Sequence, residues 1–305
     1  MNLGCLNYIN VLPITHALPE VLRAEQPGAP RLSPARDGRP GNPPEGRGRE
    51  APPTPELIYG EPSALNAMLA EGAIDASLIS SIEYARHQDE YVVLPDLSIS
   101  SHGNTKSVVL FSWLPLNELN GEVIGACAAT ATSSVLLQVL LEDFSGVHAV
   151  YQARATVEEF EAGDFPALLL IGDEALHYRA THGNALYEYD LGAMWKDASG
   201  LPMVFALWAA RVTEANREGL RSVQRALVTA REQGLRLPDG LLHDAERRTG
   251  LDEATLREYY AGLSFDLPAD AVRGLLAFYE RAAARGLCAP CKALRFLEME
   301  PAYNA

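Results

Sequence analysis

Neither GxGxxG nor a GxxxxGK stretch ending in Ser or Thr occurs anywhere in this chain of 305 residues. Without such a glycine-rich cradle of backbone N–H groups, nothing in the sequence points to a nucleotide-dependent enzyme. The seven histidines (His16, His87, His102, His148, His177, His182 and His243) form no HExxH or HxxxH pair, so no helix is expected to offer two imidazoles to one metal. Cysteine is scarce. Cys5 and Cys127 lie in apolar, strand-like surroundings and read as small buried hydrophobes. Cys288-Ala-Pro-Cys291 is a lone CxxC with no second ligand pair and no thioredoxin-like context, and reads as an incidental pair near a helix end. No apolar run approaches the roughly 20 residues needed to cross a bilayer, so no membrane insertion is expected. Met1 to Leu6 show neither a basic start nor a long apolar core of export type, and a cytoplasmic location is expected. Basic residues are outnumbered, 25 Lys and Arg against 40 Asp and Glu, for a formal net charge of −15. Such a surface has no general attraction for nucleic acid or for anionic membrane. A small anion is not excluded, because a local cluster of donors outweighs a screened global charge.

The content that remains is that of an ordinary globular chain. Hydrophobic residues make up 48% and charged residues 21%, enough for a substantial core. One segment departs from the rest. Pro27 to Pro55 holds nine of the 20 prolines, five glycines and five arginines, with no aromatic residue. It cannot bury enough apolar area to offset its ordering entropy, and is expected to be a disordered surface insertion. Elsewhere, strands alternate with helices up to about residue 210. Helices alone follow, at 214–233, 238–249, 252–261 and 268–285. That order predicts an α/β fold with a parallel or mixed sheet and a helical segment packed on it.

Within this order, Val123 to Leu141 carries the most chemistry. An apolar run opens into a helix through Thr130-Ala-Thr-Ser-Ser134. Free N–H groups and hydroxyls at a helix start can hold a carboxylate or phosphate. The same residues also serve as plain N-caps in helices that bind nothing. Ser80-Ser81 forms a second hydroxyl-rich junction of this type. Asn7 and Asn10 stand in the loop after the first strand, where ligands lie in open α/β sheets and where turn-forming Asn is also common. Asp173, after the apolar run Ala167 to Ile171, reads either as a group facing a cleft or as the cap of its own helix.

Several of these motifs, taken in order, resemble one family. They are Leu3-Gly-Cys-Leu-Asn-Tyr-Ile-Asn-Val-Leu-Pro-Ile14, Ala76-Ser-Leu-Ile-Ser-Ser-Ile-Glu-Tyr84, Lys106-Ser-Val-Val-Leu-Phe-Ser112, Thr130-Ala-Thr-Ser-Ser-Val135, Leu170-Ile-Gly-Asp-Glu-Ala-Leu176, Tyr189-Asp-Leu-Gly192 and Gly200-Leu-Pro-Met-Val-Phe-Ala-Leu-Trp208. The family is the chorismate dehydratase of the futalosine route to menaquinone. The resemblance spans nearly the whole chain apart from Pro27 to Pro55. It implies a two-lobed fold like type II periplasmic binding proteins, with two hinge crossings near Ser98 to Thr105 and near Met203 to Trp208. One lobe would comprise 1–100 and 209–305, the other 101–208. A cleft between them would be lined by Asn7, Asn10, Ser80, Ser81, Lys106, Ser107, Thr130 to Ser134 and Gly172-Asp173.

The chemistry implied is loss of water from chorismate to give 3-[(1-carboxyvinyl)oxy]benzoate. A ring hydroxyl leaves, a neighbouring C–H proton is removed, and aromatisation supplies the driving force. No cofactor and no metal is implied, and the partner is a small dianionic substrate. Thr132, Ser133 and Ser134 would bind one carboxylate and Ser80 and Ser81 the other, with Ser107 among the binding residues. Asn10 would orient the ring or its leaving hydroxyl. Asp173, His102 and a carboxylate of the substrate itself remain as candidate bases. A sibling lyase of the pathway, the naphthoate-forming type, and a non-catalytic solute binder share the expected fold.

Overall fold

The fold was obtained as a computed structural model that describes residues 1–24, 54–127, 131–182 and 185–299. The insertion read at 27–55 lies outside these residues except for Thr54 and Pro55, as do Ala128 to Thr130. Two five-stranded sheets organise the chain. The strands are β1 (Asn2–Leu6), β2 (Glu56–Gly60), β3 (Ala76–Ser80), β4 (Val92–Ser101), β5 (Val108–Ser112), β6 (Val123–Ala126), β7 (Val150–Ala153), β8 (Ala167–Ile171), β9 (Tyr187–Asp190) and β10 (Met203–Ala210). The first sheet runs β2-β1-β3-β10-β4 and the second β7-β6-β8-β5-β9.

Central and outer strands differ as their environments require. β5 and β8 are buried almost throughout and read as continuous apolar runs, because helices cover both faces of a parallel or mixed sheet. The edge strands β2 and β7 expose much of their length and carry Glu56, Tyr59 and Gln152. Helix ends follow local chemistry. The helix Pro62–Glu71 stops at Gly72, whose φ of 75° suits a residue without Cβ. Val157–Ala162 begins with a capping box formed by Thr156 and Glu159.

The two sheets match position by position. β1 lies parallel between β2 and β3, and β6 lies parallel between β7 and β8. Next to β3 comes antiparallel β10, and next to β8 comes antiparallel β5. The chain enters the second sheet through residues 102–107 and returns through the helix Leu191–Ser199. The two stretches expected to carry the crossings, Ser98 to Thr105 and Met203 to Trp208, lie side by side: β4 and β10 are neighbours in the first sheet, with Met203 opposite Ser101.

Four C-terminal helices follow: Arg217–Gly234 packs on β4, Ala269–Ala284 packs on β10, and Asp239–Thr249 lies against Glu253–Ala261 and against the helices Leu12–Thr15 and Gly172–His182. Leu220, Val223, Leu227 and Ala230 form a buried stripe at helical spacing along the first of them. Arg281 of Ala269–Ala284 and Arg285 just past its end pair with Asp143 and Glu142 at the end of a second-sheet helix. Ala269–Ala284 also passes so close to the start of β10 that a methyl group at Gly274 would overlap the Pro202 carbonyl oxygen. Gly274→Ala should therefore destabilise the fold by about 1–3 kcal/mol, the usual cost of overpacking. A urea titration would show this as a lower midpoint with an unchanged slope.

Candidate functional site

The equivalence of the sheets brings four strand ends face to face. β1 and β3 of the first sheet and β8 of the second each run into a helical turn, and the helix Ala131–Val139 is the next described element after β6. Two hydrogen bonds join them crosswise. The Ile82 N–H, after β3, donates to Thr132 Oγ1, after β6, at 3.1 Å. The Ile9 N–H, after β1, donates to Asp173 Oδ1, after β8, at 3.0 Å. In both, a side-chain oxygen of the second sheet's unit accepts from a backbone donor at a helical start of the first. Such starts carry unpaired N–H groups, so these oxygens satisfy donors the helical turns cannot.

Most of the sequence-derived candidates gather here. Ser81 is fully buried; its hydroxyl donates to the Val204 carbonyl at 2.7 Å and lies 3.3 Å from Thr132 Oγ1. Thr132 and Ser133 are buried and Ser134 half-buried on the helix Ala131–Val139. Ser80 is half-buried and its side chain does not cap the following helix. It lines a cavity of about 320 Å³ together with Ala131, Asn66, Glu83 and His87. Asn10, one residue after Ile9, has a buried side-chain oxygen with no partner among the described residues. An orphaned buried acceptor costs free energy and marks a place where a partner is missing.

Ser107 is buried at the start of the second sheet, and its carbonyl accepts the Gly172 N–H at 2.7 Å, beside Asp173. Lys106 has a φ of 62° and pairs with Glu258 at 2.6 Å. Asn7 is exposed and accepts from Arg248 at 3.0 Å. His102 stands apart. It is half exposed, its nearest acid is Asp270 at 3.9 Å, and no hydrogen bond or ion pair joins it to the other candidates among the described residues. Thr130 lies outside the described residues.

Asp173 is the one candidate base inside this cluster. Burial pushes its carboxyl above the usual aspartate range, against the opposing pull of the Ile9 N–H and the Arg248 charge. Its oxygen accepts from a segment 164 residues earlier in the chain. Tyr8 packs over Gly172 and donates to Glu61 at 2.7 Å. Burial followed by the Glu61 contact raises its pKa, so it stays a neutral phenol.

Sequence reasoning missed three tyrosines of the C-terminal helices. Tyr259 donates to Ser107 Oγ at 3.0 Å and Tyr260 to the Ile9 carbonyl at 3.0 Å, while Tyr279 donates to the Ser81 carbonyl. Each supports a segment that carries a candidate residue. The available signal was weak: a tyrosine on a buried helix face needs a partner for its hydroxyl, but sequence does not say which. Asp190 was missed as well. Its carboxylate, 9% exposed, accepts from Thr105 N and Oγ1, Lys106 N, Gly192 N and Ala193 N.

Two α/β units of one strand order, meeting at the carboxyl ends of their parallel strands, define a fold like that of type II periplasmic binding proteins. Solved structures agree. The crystal structure of protein AF1704 from Archaeoglobus fulgidus superposes with a TM-score of 0.68 at 19% identity, over 94% of this chain and 97% of that one. The alkanesulfonate-binding protein SsuA from Xanthomonas axonopodis pv. citri gives 0.64 at 14% identity, over 96% and 95%. The chain belongs to the family described as Menaquinone biosynthesis, whose model matches residues 1–284. It is 30% identical to a chorismate dehydratase of Thermus thermophilus over 238 residues, 73% of this chain and 85% of the relative. It is 25% identical to a 1,4-dihydroxy-6-naphtoate synthase of the same organism over 249 residues, 80% and 89% of the two chains. The likeness seen in the ordered motifs is thus supported across most of the chain. No helix among the described residues is long and apolar enough to cross a membrane.

Proposed function

We propose that this protein is a chorismate dehydratase, a carbon–oxygen lyase that converts chorismate to 3-[(1-carboxyvinyl)oxy]benzoate and water. The observation that carries this reading is the pair of crosswise junctions between the two sheets, Ile82 with Thr132 beside Ser81 and Ile9 with Asp173 beside Ser107, in a chain of the menaquinone family. The substrate is a dianion, and the donors arrive from both sheets. Ser133 with the N–H groups of its helix holds one carboxylate and Ser80 the other, while Ser81, whose proton goes to the Val204 carbonyl, fixes that junction. Asn10, with its orphaned amide oxygen, orients the ring and its leaving hydroxyl. Asp173 takes the ring proton as the C–O bond breaks, and aromatisation drives the loss of water. Its raised pKa makes it a stronger base than an exposed aspartate. The two sheets then act as lobes that close on the ligand, hinged at 102–107 and at the return from β9 to β10.

The test is direct. Purified protein given chorismate should form the aromatic enol ether, followed by its ultraviolet spectrum and by mass. A folded protein that leaves chorismate unchanged would overturn the reading. Turnover of a naphthoate precursor instead would favour the function named for the second relative, which the shared fold does not separate from the first. Ser133→Ala should weaken chorismate binding roughly 10- to 100-fold, the loss expected for a hydrogen bond to a charged group. Calorimetric titration would measure it, and an unchanged Kd would remove the carboxylate from this helix start.

A further inference from the structure

Tyr259 sits on the helix Glu253–Ala261, outside both sheets, and is 1% exposed. Its hydroxyl donates to Ser107 Oγ at 3.0 Å across 152 residues of chain. Burial pushes its pKa far up, and the group remains protonated at any working pH. The rest of Ser107 is fixed too. Its carbonyl takes the Gly172 N–H, and its own N–H goes to Thr105 Oγ1 at 3.3 Å. Thr105 in turn is held by Asp190. What these bonds leave over is the proton of the Ser107 hydroxyl, for which the described residues offer no acceptor. A hydroxyl that already accepts from a tyrosine must send its own proton elsewhere, because the donor occupies one of its two lone pairs and bars the rotor from that direction.

We infer that Tyr259 is a positioning residue for the substrate: it turns the Ser107 hydroxyl so that its proton points into the cleft as a donor to a substrate carboxylate. The inference rests on the dehydratase reading of this site. Tyr259 touches no reacting atom. It spares the ligand the work of reorienting Ser107, so its effect falls on binding and not on the proton transfer. The hydrogen bond also ties the C-terminal helices to the ligand seat, which gives them a part in recognition.

The experiment is a double-mutant cycle on the full chain, with KM and kcat for chorismate measured for wild type, Tyr259→Phe, Ser107→Ala and the double variant. Tyr259→Phe keeps the ring and removes one oxygen, and its melting curve reports whether the fold survives. Tyr259→Phe and Ser107→Ala should each raise KM about tenfold with kcat held within roughly threefold, as expected for loss of uniform binding. The double variant should be no worse than about twofold beyond Ser107→Ala, since both substitutions break one chain of bonds. Additive effects, an unchanged KM in Tyr259→Phe, or an effect on kcat alone would overturn the inference. Ser107→Ala decides the matter even where Tyr259→Phe does not fold: an unchanged KM there removes the donor that Tyr259 is said to aim. A wild-type protein that does not consume chorismate overturns the dehydratase reading and this inference together, whereas wild-type turnover with additive variants overturns the inference alone.

Discussion

Asp173→Asn should lower kcat/KM for chorismate by about two to four orders of magnitude, the range expected for loss of a general base. Stopped-time assays with product quantified by chromatography would measure it. The same substitution should leave the melting temperature at neutral pH unchanged or raised. The sign follows from the direction of the shift. Burial favours the protonated carboxyl in the folded state, so its folded pKa lies above its unfolded one. Its contribution to stability is then largest below the unfolded pKa and is lost as pH rises through the folded value. At neutral pH the buried charge opposes folding, and Asn removes it. The acid limb of the wild-type pH–rate profile should lie above the usual aspartate range and vanish in the variant. Retained turnover in Asp173→Asn would shift the role of base to a carboxylate of the substrate. Asp173 would then serve only to hold Ile9.

The second large effect concerns stability. Asp190→Ala should cost about 3–5 kcal/mol, because it removes a buried acceptor and leaves several donors unpaired. Thr105 N, Gly192 N and Ala193 N all depend on this carboxylate, and it is also the N-cap of Leu191–Ser199. Equilibrium unfolding in urea would measure the loss. Activity should fall as well, even in protein that remains folded, because Asp190 fixes Thr105 and Lys106 immediately before Ser107. A variant as stable as the wild type would show that the crossing segment is held by other contacts.

Much of the architecture was legible because its signals are local. Ala167-Leu-Leu-Leu-Ile171 is long and apolar enough to be a central strand whatever surrounds it. Gly72 and Gly163 end their helices with positive φ, and Thr156 begins one with its capping box, all within four residues of the features they control. Ser81, Thr132, Ser133 and Asp173 were legible for a related reason: each stands where a strand yields to a helix. What sequence did not carry is the partner. Asp173 reaches Ile9 and Thr132 reaches Ile82, and nothing near any of them in sequence records the pairing. Tyr259, Tyr260 and Tyr279 are harder still, since their helices resemble any amphipathic helix and only the packed structure shows what their hydroxyls meet.

The uneven use of the chain by the two sheets has a consequence for biosynthesis. The second sheet draws all five strands from the unbroken stretch 108–190. The first spreads over residues 2–210, and its strand β4 takes its strand partner from β10, made about a hundred residues later. As the chain leaves the ribosome, the middle can close while the beginning waits. Val93, Leu94, Leu97 and Ile99 of β4, all buried in the finished molecule, then sit on a strand with no neighbour. An unpaired apolar strand of this kind invites pairing with another chain. Nascent chains stalled before residue 203 should be the aggregation-prone form of this protein, and those stalled well past 210, with β10 clear of the exit tunnel, should not.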